Sequence, residues 1–240
     1  RGLGDVYKRQ VSPDCDEPQG FILRSHKLHS EEVPESLLAV ARAGAGVNNI
    51  PVSDYTFRGI VVFNTPGANA NAVKELVVAS LILSSRDIFG GMKYVQKLSE
   101  LDDPAAMARM LEKEKKRFAG REITGKTLGV VGLGAIGSMI ANLAIDLGMK
   151  VIGYDPAISI EAAWQLSCQV ERMDTIEILL KQADFVTLHV PALPSTKNLL
   201  DSSKFSLMKS SAKLLNFARE EIVSTPDLIS ALDNRKIGSY

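Results

Sequence analysis

Short apolar runs alternate with amphipathic stretches along most of the chain. Between residues 20 and 64, apolar strands are predicted at 21–24, 39–43 and 60–63, with a helix at 34–38. From residue 126 the alternation becomes regular, which is typical of a parallel sheet covered on both faces by helices. The predicted elements of that part are strands at 126–131, 150–154, 184–189, 212–217 and from 237, and helices at 135–147, 159–166, 175–181, 202–208 and 225–232.

The two regions are joined by a long predicted helix at 71–97 and a charged one from Asp102 to about Phe118. Val73, Val77 and Leu81 recur at helical spacing in the first of these, and several positions between them are also apolar. A helix that is apolar nearly all round is buried, often between domains or subunits.

A glycine-rich loop lies between the strand at 126–131 and the helix at 135–147. Gly132, Gly134 and Gly137 fit the pattern G-x-G-x-x-G in the strand–turn–helix context that this motif requires. The first glycine permits a tight turn, the second lets a pyrophosphate approach the backbone, and the third lets the helix pack on the strand. Backbone N–H groups at the helix start, at Ala135 and Ile136, would face the phosphates.

Asp155 ends the next strand, 23 residues after Gly132 (155 − 132). A carboxylate at this spacing accepts hydrogen bonds from the adenosine ribose of a dinucleotide. Its charge would repel the 2′-phosphate of NADP, so the motif favours NAD. A glycine turn that binds nothing and a different nucleotide such as S-adenosylmethionine are the alternatives.

Composition excludes several classes of protein. Hydrophobic residues make up 45% and charged residues 23%, and 28 Lys and Arg balance 28 Asp and Glu. This balance gives no support for a nucleic-acid or membrane-surface role, and no apolar run approaches the ~18 residues of a membrane span. Two cysteines, Cys15 and Cys168, predict a reducing compartment, the cytoplasm, and no metal site is predicted.

The ends of the sequence are unusual. It begins at Arg1 and stops at Tyr240, directly after the start of a predicted strand. Residues 1–10 resemble translated adapter sequence, so residues 1–19 are excluded from the fold prediction. We expect that the sequence is cut at both ends.

Five motifs occur in the order seen in the D-2-hydroxyacid dehydrogenases, and from about Gly20 to Tyr240 the chain resembles that family. Residues 23–27 and 69–75 point to the branch that oxidises 3-phosphoglycerate to 3-phosphohydroxypyruvate in serine biosynthesis. The motifs are residues 43–49 (AGAGVNN), 64–67 (NTPG), 132–137, 188–196 (LHVPALPST) and 215–219 (LNFAR).

The resemblance implies an α/β fold with two domains. One is a Rossmann-type doubly wound parallel sheet that binds NAD, over residues 73–240, and the other a partial, flavodoxin-like substrate domain over residues 1–72. It also implies a homodimer formed through the cofactor domain. Besides the glycine loop, it implies cofactor contacts at Val190, Pro191, Phe217, Ala218 and Arg219.

The candidate substrate residues lie at strand ends. Arg219 follows the strand at 212–217, where its planar fork could hold the carboxylate and the carbonyl oxygen of a 2-hydroxy acid, a role that the resemblance also implies. The resemblance supports phosphate contacts by Arg24 and Ser25, and the positive charge of Lys27 suggests that it is a third phosphate contact. Backbone N–H groups at Ala45 and Gly46 could bind the substrate carboxylate.

Two departures from the family pattern matter. Glu220 stands where the family has glycine after the arginine, so a positive φ there would strain it. The family's catalytic Glu and His lie after Tyr240, and His26, His29 and His189 are the histidines present. We expect the chain to bind NAD but to be inactive alone. The alternatives are a hydroxypyruvate or glyoxylate reductase and a non-catalytic NAD-binding sensor.

Overall fold

The computed structural model describes residues 12–13, 15–98 and 101–240. The adapter-like residues 1–10 lie outside the described residues. The chain divides into a first unit that ends at Ala68 and a second unit, Asn69–Tyr240. The assignment of these units to a substrate domain and a cofactor domain stays a prediction.

The first unit contains a three-stranded parallel sheet whose strand order follows the chain. Its elements are β1 (Gly20–Leu23), β2 (Ala39–Arg42), α1 (Val52–Phe57) and β3 (Val61–Asn64). The helix predicted at 34–38 is wrong, because this stretch forms only a turn in which Leu37 N donates to Pro34 O at 3.1 Å. Leu38 N instead donates to Gln19 O, just before β1.

The two faces of this sheet differ in burial. Val40 is fully buried and packs with Tyr55 of α1, while Phe21 and Val62 are partly buried beside them. On the opposite face, Ile22 and Phe63 are 77% and 57% exposed. Because side chains alternate along a strand, one face of the sheet forms a core and the other is apolar and open.

The second unit contains a five-stranded parallel sheet with the order β6-β5-β4-β7-β8. This confirms the predicted doubly wound α/β fold, since the strand order reverses direction on either side of β4. All four residues of β7 and four of the five in β4 are buried, as expected for strands covered on both faces. The strands are β4 (Thr127–Val131), β5 (Lys150–Tyr154), β6 (Glu171–Arg172), β7 (Phe185–Leu188) and β8 (Lys213–Asn216).

Helices cover both faces of the sheet, and several begin at a residue that caps the free N–H groups. Ser159, Thr175 and Asp201 each accept a hydrogen bond from a backbone N–H of the helix that follows them. The helices are α2 (Ala70–Ser85), α3 (Ile88–Leu98), α4 (Pro104–Glu114), α5 (Ala135–Asp146), α6 (Ile160–Gln165), α7 (Ile176–Gln182), α8 (Ser202–Phe205) and α9 (Thr225–Asp233).

Two buried clusters lie on the two sides of the sheet. Val77 and Leu81 of α2 belong to a cluster with Ile140 of α5 and with Leu128 and Val130 of β4. The other cluster joins α7, α8 and α9 to β4, β7 and β8. Alternate residues of β4 therefore point to opposite faces of the sheet, and the helices on each face bury an apolar side against it.

The single helix predicted at 71–97 is wrong, because it is interrupted between α2 and α3. Arg86 is extended, with φ −139° and ψ 138°. The side chain of Asp87 then accepts a hydrogen bond from Gly90 N at 2.9 Å, which satisfies a free N–H group at the start of α3. The charged helix also ends earlier than predicted, because residues 115–118 form a 3₁₀ turn.

The strand predicted from residue 237 is a single bridge between Lys213 and Ser239. The two-residue strand β6 was not predicted, because both its residues are exposed and carry no apolar pattern. Within the described residues, none of the helices has the length and apolar character needed to cross a bilayer. The same part of the chain holds no cluster of three His, Cys, Asp or Glu side chains suited to a metal ion.

Candidate functional site

The turn between β4 and α5 has the geometry expected of the glycine loop. Gly132 has φ +90°, a conformation that favours glycine, and its N–H donates to Tyr154 O at 2.9 Å. A Cβ built at this position would lie 2.8 Å from the carbonyl group of His189. The first glycine therefore allows both the turn and the close approach of the segment after β7.

The other two glycines of the loop have contrasting surroundings. A Cβ built on Gly137 would collide with the carbonyl oxygen of Gly132, whereas one on Gly134 would have no atom within 4 Å. Gly134 is exposed and precedes the twelve-residue helix α5, whose first N–H groups are free of helical partners. The open space beside Gly134 and these donors fit a pyrophosphate, and Gly137 lets α5 pack on the turn.

Asp155 follows β5 and is tied into the glycine loop. Its Oδ2 accepts a hydrogen bond from Leu133 N at 2.8 Å, and its Oδ1 accepts one from Ala157 N at 2.9 Å. The side chain is therefore held in place while its remaining lone pairs stay available to a ligand. The sequence motif predicted a ribose contact but not the bond to the loop.

The parallel sheet brings the other predicted cofactor residues to the same edge. Val131, the last residue of β4, lies opposite Tyr154 and Leu188, and Leu188 lies opposite Asn216. The segments that follow these strands are neighbours, since parallel strands end at a common edge. These segments carry Gly132, Asp155, Val190, Pro191, Phe217, Ala218 and Arg219.

His189 lies in this edge as a neutral side chain. Its Nε2 is 2.8 Å from Thr187 Oγ1, and its backbone N–H donates to Val131 O at 2.7 Å. Burial lowers the pKa of His189 from 6.5 to about 4. The imidazole is thus uncharged near neutral pH.

Arg219 ends a turn that Asn216 shapes. Asn216 Nδ2 donates to Arg219 O at 2.9 Å, and its Oδ1 accepts from Ala218 N at 3.1 Å. The guanidinium Nη1 of Arg219 donates to Ala218 O at 2.8 Å. Glu220 begins a 3₁₀ turn and does not have a positive φ, so the strain expected there is absent.

The candidate substrate residues lie at one edge of the first unit's sheet. Arg24, Ser25 and Lys27 follow β1 and are exposed. Ala45 and Gly46 follow β2, and the carbonyl of Ala45 accepts a hydrogen bond from Asn64 Nδ2 at 2.7 Å. Within this unit the structure brings the two loops together, because β1 and β2 are paired and parallel.

One residue of this edge was missed by the sequence reasoning. The sequence identified Asn49 only as the last residue of the motif at 43–49, yet it is 7% exposed and bonds to the backbone of the loop after β1 and to the side chain of Arg42 at the end of β2. A single buried asparagine leaves no trace in the hydrophobic pattern of the sequence. Its role depends on hydrogen-bond partners that only the fold brings near.

Comparison with known families gives one match over most of the chain. Residues 91–240 match the model described as "D-isomer specific 2-hydroxyacid dehydrogenase, NAD binding domain". D-3-phosphoglycerate dehydrogenase of Synechocystis is 36% identical over 240 residues, covering 99% of this chain and 40% of that protein. The enzyme of the same name from Methanocaldococcus jannaschii is 39% identical over 208 residues, covering 86% of this chain and 36% of that protein. The chain therefore spans about two fifths of the length of these relatives.

Solved structures agree with this family match. The apo form of Rhodotorula graminis D-mandelate dehydrogenase superposes with a TM-score of 0.67 and 34% identity, covering 85% of this chain and 58% of that one. D-lactate dehydrogenase from Aquifex aeolicus, solved with NAD and lactic acid, gives a TM-score of 0.70 and 27% identity, covering 85% and 56%.

Proposed function

The chain belongs to the D-isomer specific 2-hydroxyacid dehydrogenase family, and from this premise we propose that it contributes to oxidation of 3-phosphoglycerate to 3-phosphohydroxypyruvate in serine biosynthesis. The second unit is the proposed NAD domain and the first unit the proposed substrate domain. The observation that carries the proposal is the edge of the five-stranded sheet, where the glycine turn, Asp155 and Arg219 follow neighbouring parallel strands.

The glycine loop and α5 are the proposed pyrophosphate site. Backbone N–H groups at the start of α5, at Ala135 and Ile136, would face the phosphates, and the space beside Gly134 would accommodate a phosphate. Asp155 would accept hydrogen bonds from the adenosine ribose. When bound, NAD supplies the hydride acceptor, and the residues of this chain bind and orient it.

Each unit has its own proposed substrate residues. In the second unit, Arg219 is the proposed partner of the carboxylate and of the oxygen on C2. In the first unit, the backbone N–H groups of Ala45 and Gly46 are proposed donors to a carboxylate. Arg24, Ser25 and Lys27 are the proposed phosphate contacts. His189 is an unsuitable base near neutral pH in our proposal, since burial lowers its pKa to about 4.

Replacing Asp155 with Asn tests the choice of cofactor. Loss of a charge-assisted hydrogen bond worth roughly 1.5–3 kcal/mol should weaken NAD binding about ten- to a hundredfold. NADP binding should weaken less, because the repulsion of its 2′-phosphate also disappears. Isothermal titration with both cofactors measures the effect.

Asp174→Asn is the control for this substitution. Its side chain is 84% exposed and contacts Arg172 at 3.9 Å, so the same charge is removed away from the glycine loop. Unchanged NAD affinity in Asp155→Asn would contradict the ribose assignment.

A substrate panel tests the reaction. We expect the full-length protein to prefer 3-phosphoglycerate over D-glycerate, and Arg24→Ala to lower kcat/KM about tenfold for the phosphorylated substrate, since one charge-assisted contact is lost. D-Glycerate turnover should change little, which makes it the internal control. Preference for hydroxypyruvate or glyoxylate would assign another member of the family, and NAD binding without any turnover would assign a sensor.

A homodimer is the proposed assembly, and the cytoplasm the proposed location. Apolar side chains of α2 and α3 are open to solvent in the single chain, with Leu76 56%, Phe89 60% and Met92 55% exposed. Exposed apolar side chains of this size are typical of surfaces that are buried against a partner. The proposed location rests on the cysteine usage.

A further inference from the structure

Asn49 makes hydrogen bonds with every functional group of its side chain. Its Nδ2 donates to His26 O at 2.6 Å and to Arg24 O at 3.3 Å. Its Oδ1 accepts from Arg42 Nε at 2.9 Å, at the end of β2. The side chain is therefore a bridge between the segment that follows β1 and the end of the neighbouring strand.

The backbone of Asn49 adds another attachment to the same segment. Its carbonyl oxygen accepts a hydrogen bond from Leu28 N at 2.9 Å. Residues 24–28 are thus held at Arg24, His26 and Leu28 by one residue that lies 21 to 25 positions further along the chain (49 − 28 and 49 − 24). Ser25 and Lys27 lie between these attachments and remain exposed.

The chemistry of these bonds requires an amide side chain of this length. An aspartate would keep the acceptor for Arg42 but would place negative charge against the carbonyls of Arg24 and His26. An alanine would remove all three side-chain bonds and leave two carbonyl groups and the guanidinium without this partner. The backbone bond to Leu28 would survive both changes, because it does not depend on the side chain.

We propose that Asn49 is a positioning residue that fixes the shape of residues 24–28 and thereby presents Arg24, Ser25 and Lys27 to the phosphate of the substrate. The inference rests on the proposed function, which assigns these residues to that phosphate. A fixed segment binds with less loss of conformational entropy than one that must be ordered by its ligand. Asn49 touches no substrate atom in this role and acts through its two carbonyl partners.

The test compares Asn49→Asp and Asn49→Ala with Asn48→Ala in the full-length protein. Asn48 is the adjacent residue of the same type, and it is exposed. We expect both Asn49 variants to raise KM for 3-phosphoglycerate about tenfold, as expected for the loss of hydrogen bonds that hold a binding segment. The kcat for that substrate, the KM for D-glycerate and the dissociation constant of NAD should stay within about twofold, and Asn48→Ala should match the wild type.

The outcomes distinguish failure of the proposed function from failure of this inference. Wild-type protein that does not turn over 3-phosphoglycerate overturns the proposed function and this inference with it. Normal wild-type activity with an unchanged KM in Asn49→Asp overturns the inference alone. An equal rise in KM for the phosphorylated and the unphosphorylated substrate, or a fall in melting temperature with parallel loss of kcat, assigns Asn49 to general maintenance of the fold and also overturns it.

Discussion

His189 couples the stability of the second unit to pH. In the folded chain its pKa is lowered from 6.5 to about 4 by burial, so the unfolded chain takes up the proton first as the pH falls. Stability is therefore fully present above about pH 6.5 and is lost as the pH falls towards 4, where the folded form also becomes protonated. The difference between a pKa of 6.5 and one of about 4 corresponds to roughly 3 kcal/mol.

His189→Gln should remove this dependence. We expect the free energy of unfolding of the variant, measured by denaturant titration, to fall less than that of the wild type between pH 6.5 and pH 4. His29→Gln is the control, because His29 is exposed and its Nε2 lies 3.0 Å from Asn48 O. The same pH profile in wild type and His189→Gln would show that this imidazole does not titrate with unfolding.

Side-chain roles could be predicted only where the residues belong to a recurrent sequence motif. Gly132 and Asp155 belong to a motif whose separation is fixed by one strand–helix–strand unit, so sequence alone placed them at one edge. Asn49 bonds to carbonyl groups 23 and 25 residues away, and the bond of Asp155 to Leu133 N depends on how β5 lies against β4. The hydrophobic periodicity of the sequence carries no information about such hydrogen-bonded pairs.

At the level of elements, two glycines of the loop are expected to have different roles. Gly137 is required for packing, and Gly134 for binding. Gly137→Ala should lower the free energy of unfolding by about 1–3 kcal/mol, because its methyl group would meet the backbone of Gly132. Gly134→Ala should leave stability within about 0.5 kcal/mol, since that methyl group enters open space. It should nevertheless weaken NAD binding, because the proposed phosphate site occupies that space.

Denaturant unfolding and NAD titration on both variants measure these effects. Each variant is the control for the other, since both add one methyl group to the same loop. Gly134→Ala with unchanged NAD affinity would contradict the proposed phosphate site, and a fully stable Gly137→Ala would contradict the packing of α5 on the turn.

The regular strand–helix alternation of the second unit was predictable because each central strand is a buried apolar run and each helix has an apolar side. The break between α2 and α3 was not, since the residues on both sides continue the helical pattern and only Arg86 and Asp87 lie outside the two helices. The hydrophobic pattern was also insufficient at 34–38, where the structure has a turn in place of the predicted helix. A pattern of five residues does not determine whether a first helical turn continues into a helix.

At the scale of the whole molecule, the proposed homodimer makes a prediction about α3. Met92→Lys should shift the protein towards the monomer, because it places a charge in a surface that the dimer would remove from water. Sedimentation velocity at micromolar concentration measures the shift. Ile229→Lys on α9 is the control, since Ile229 is 54% exposed and Met92 is 55% exposed. A wild-type monomer would contradict the assembly.

The bond between Asp155 and Leu133 N has a consequence for the evolution and engineering of cofactor use. If Asp155 contacts the ribose as proposed, a change that admits a 2′-phosphate must remove or neutralise its carboxylate, and that same carboxylate holds the backbone of the glycine loop against the end of β5. Cofactor preference and loop stability are therefore linked at this position. A variant that uses NADP would need either a neutral side chain that still accepts from Leu133 N, such as asparagine, or a second substitution that supplies a new acceptor, and we expect exchanges that provide neither to destabilise the loop.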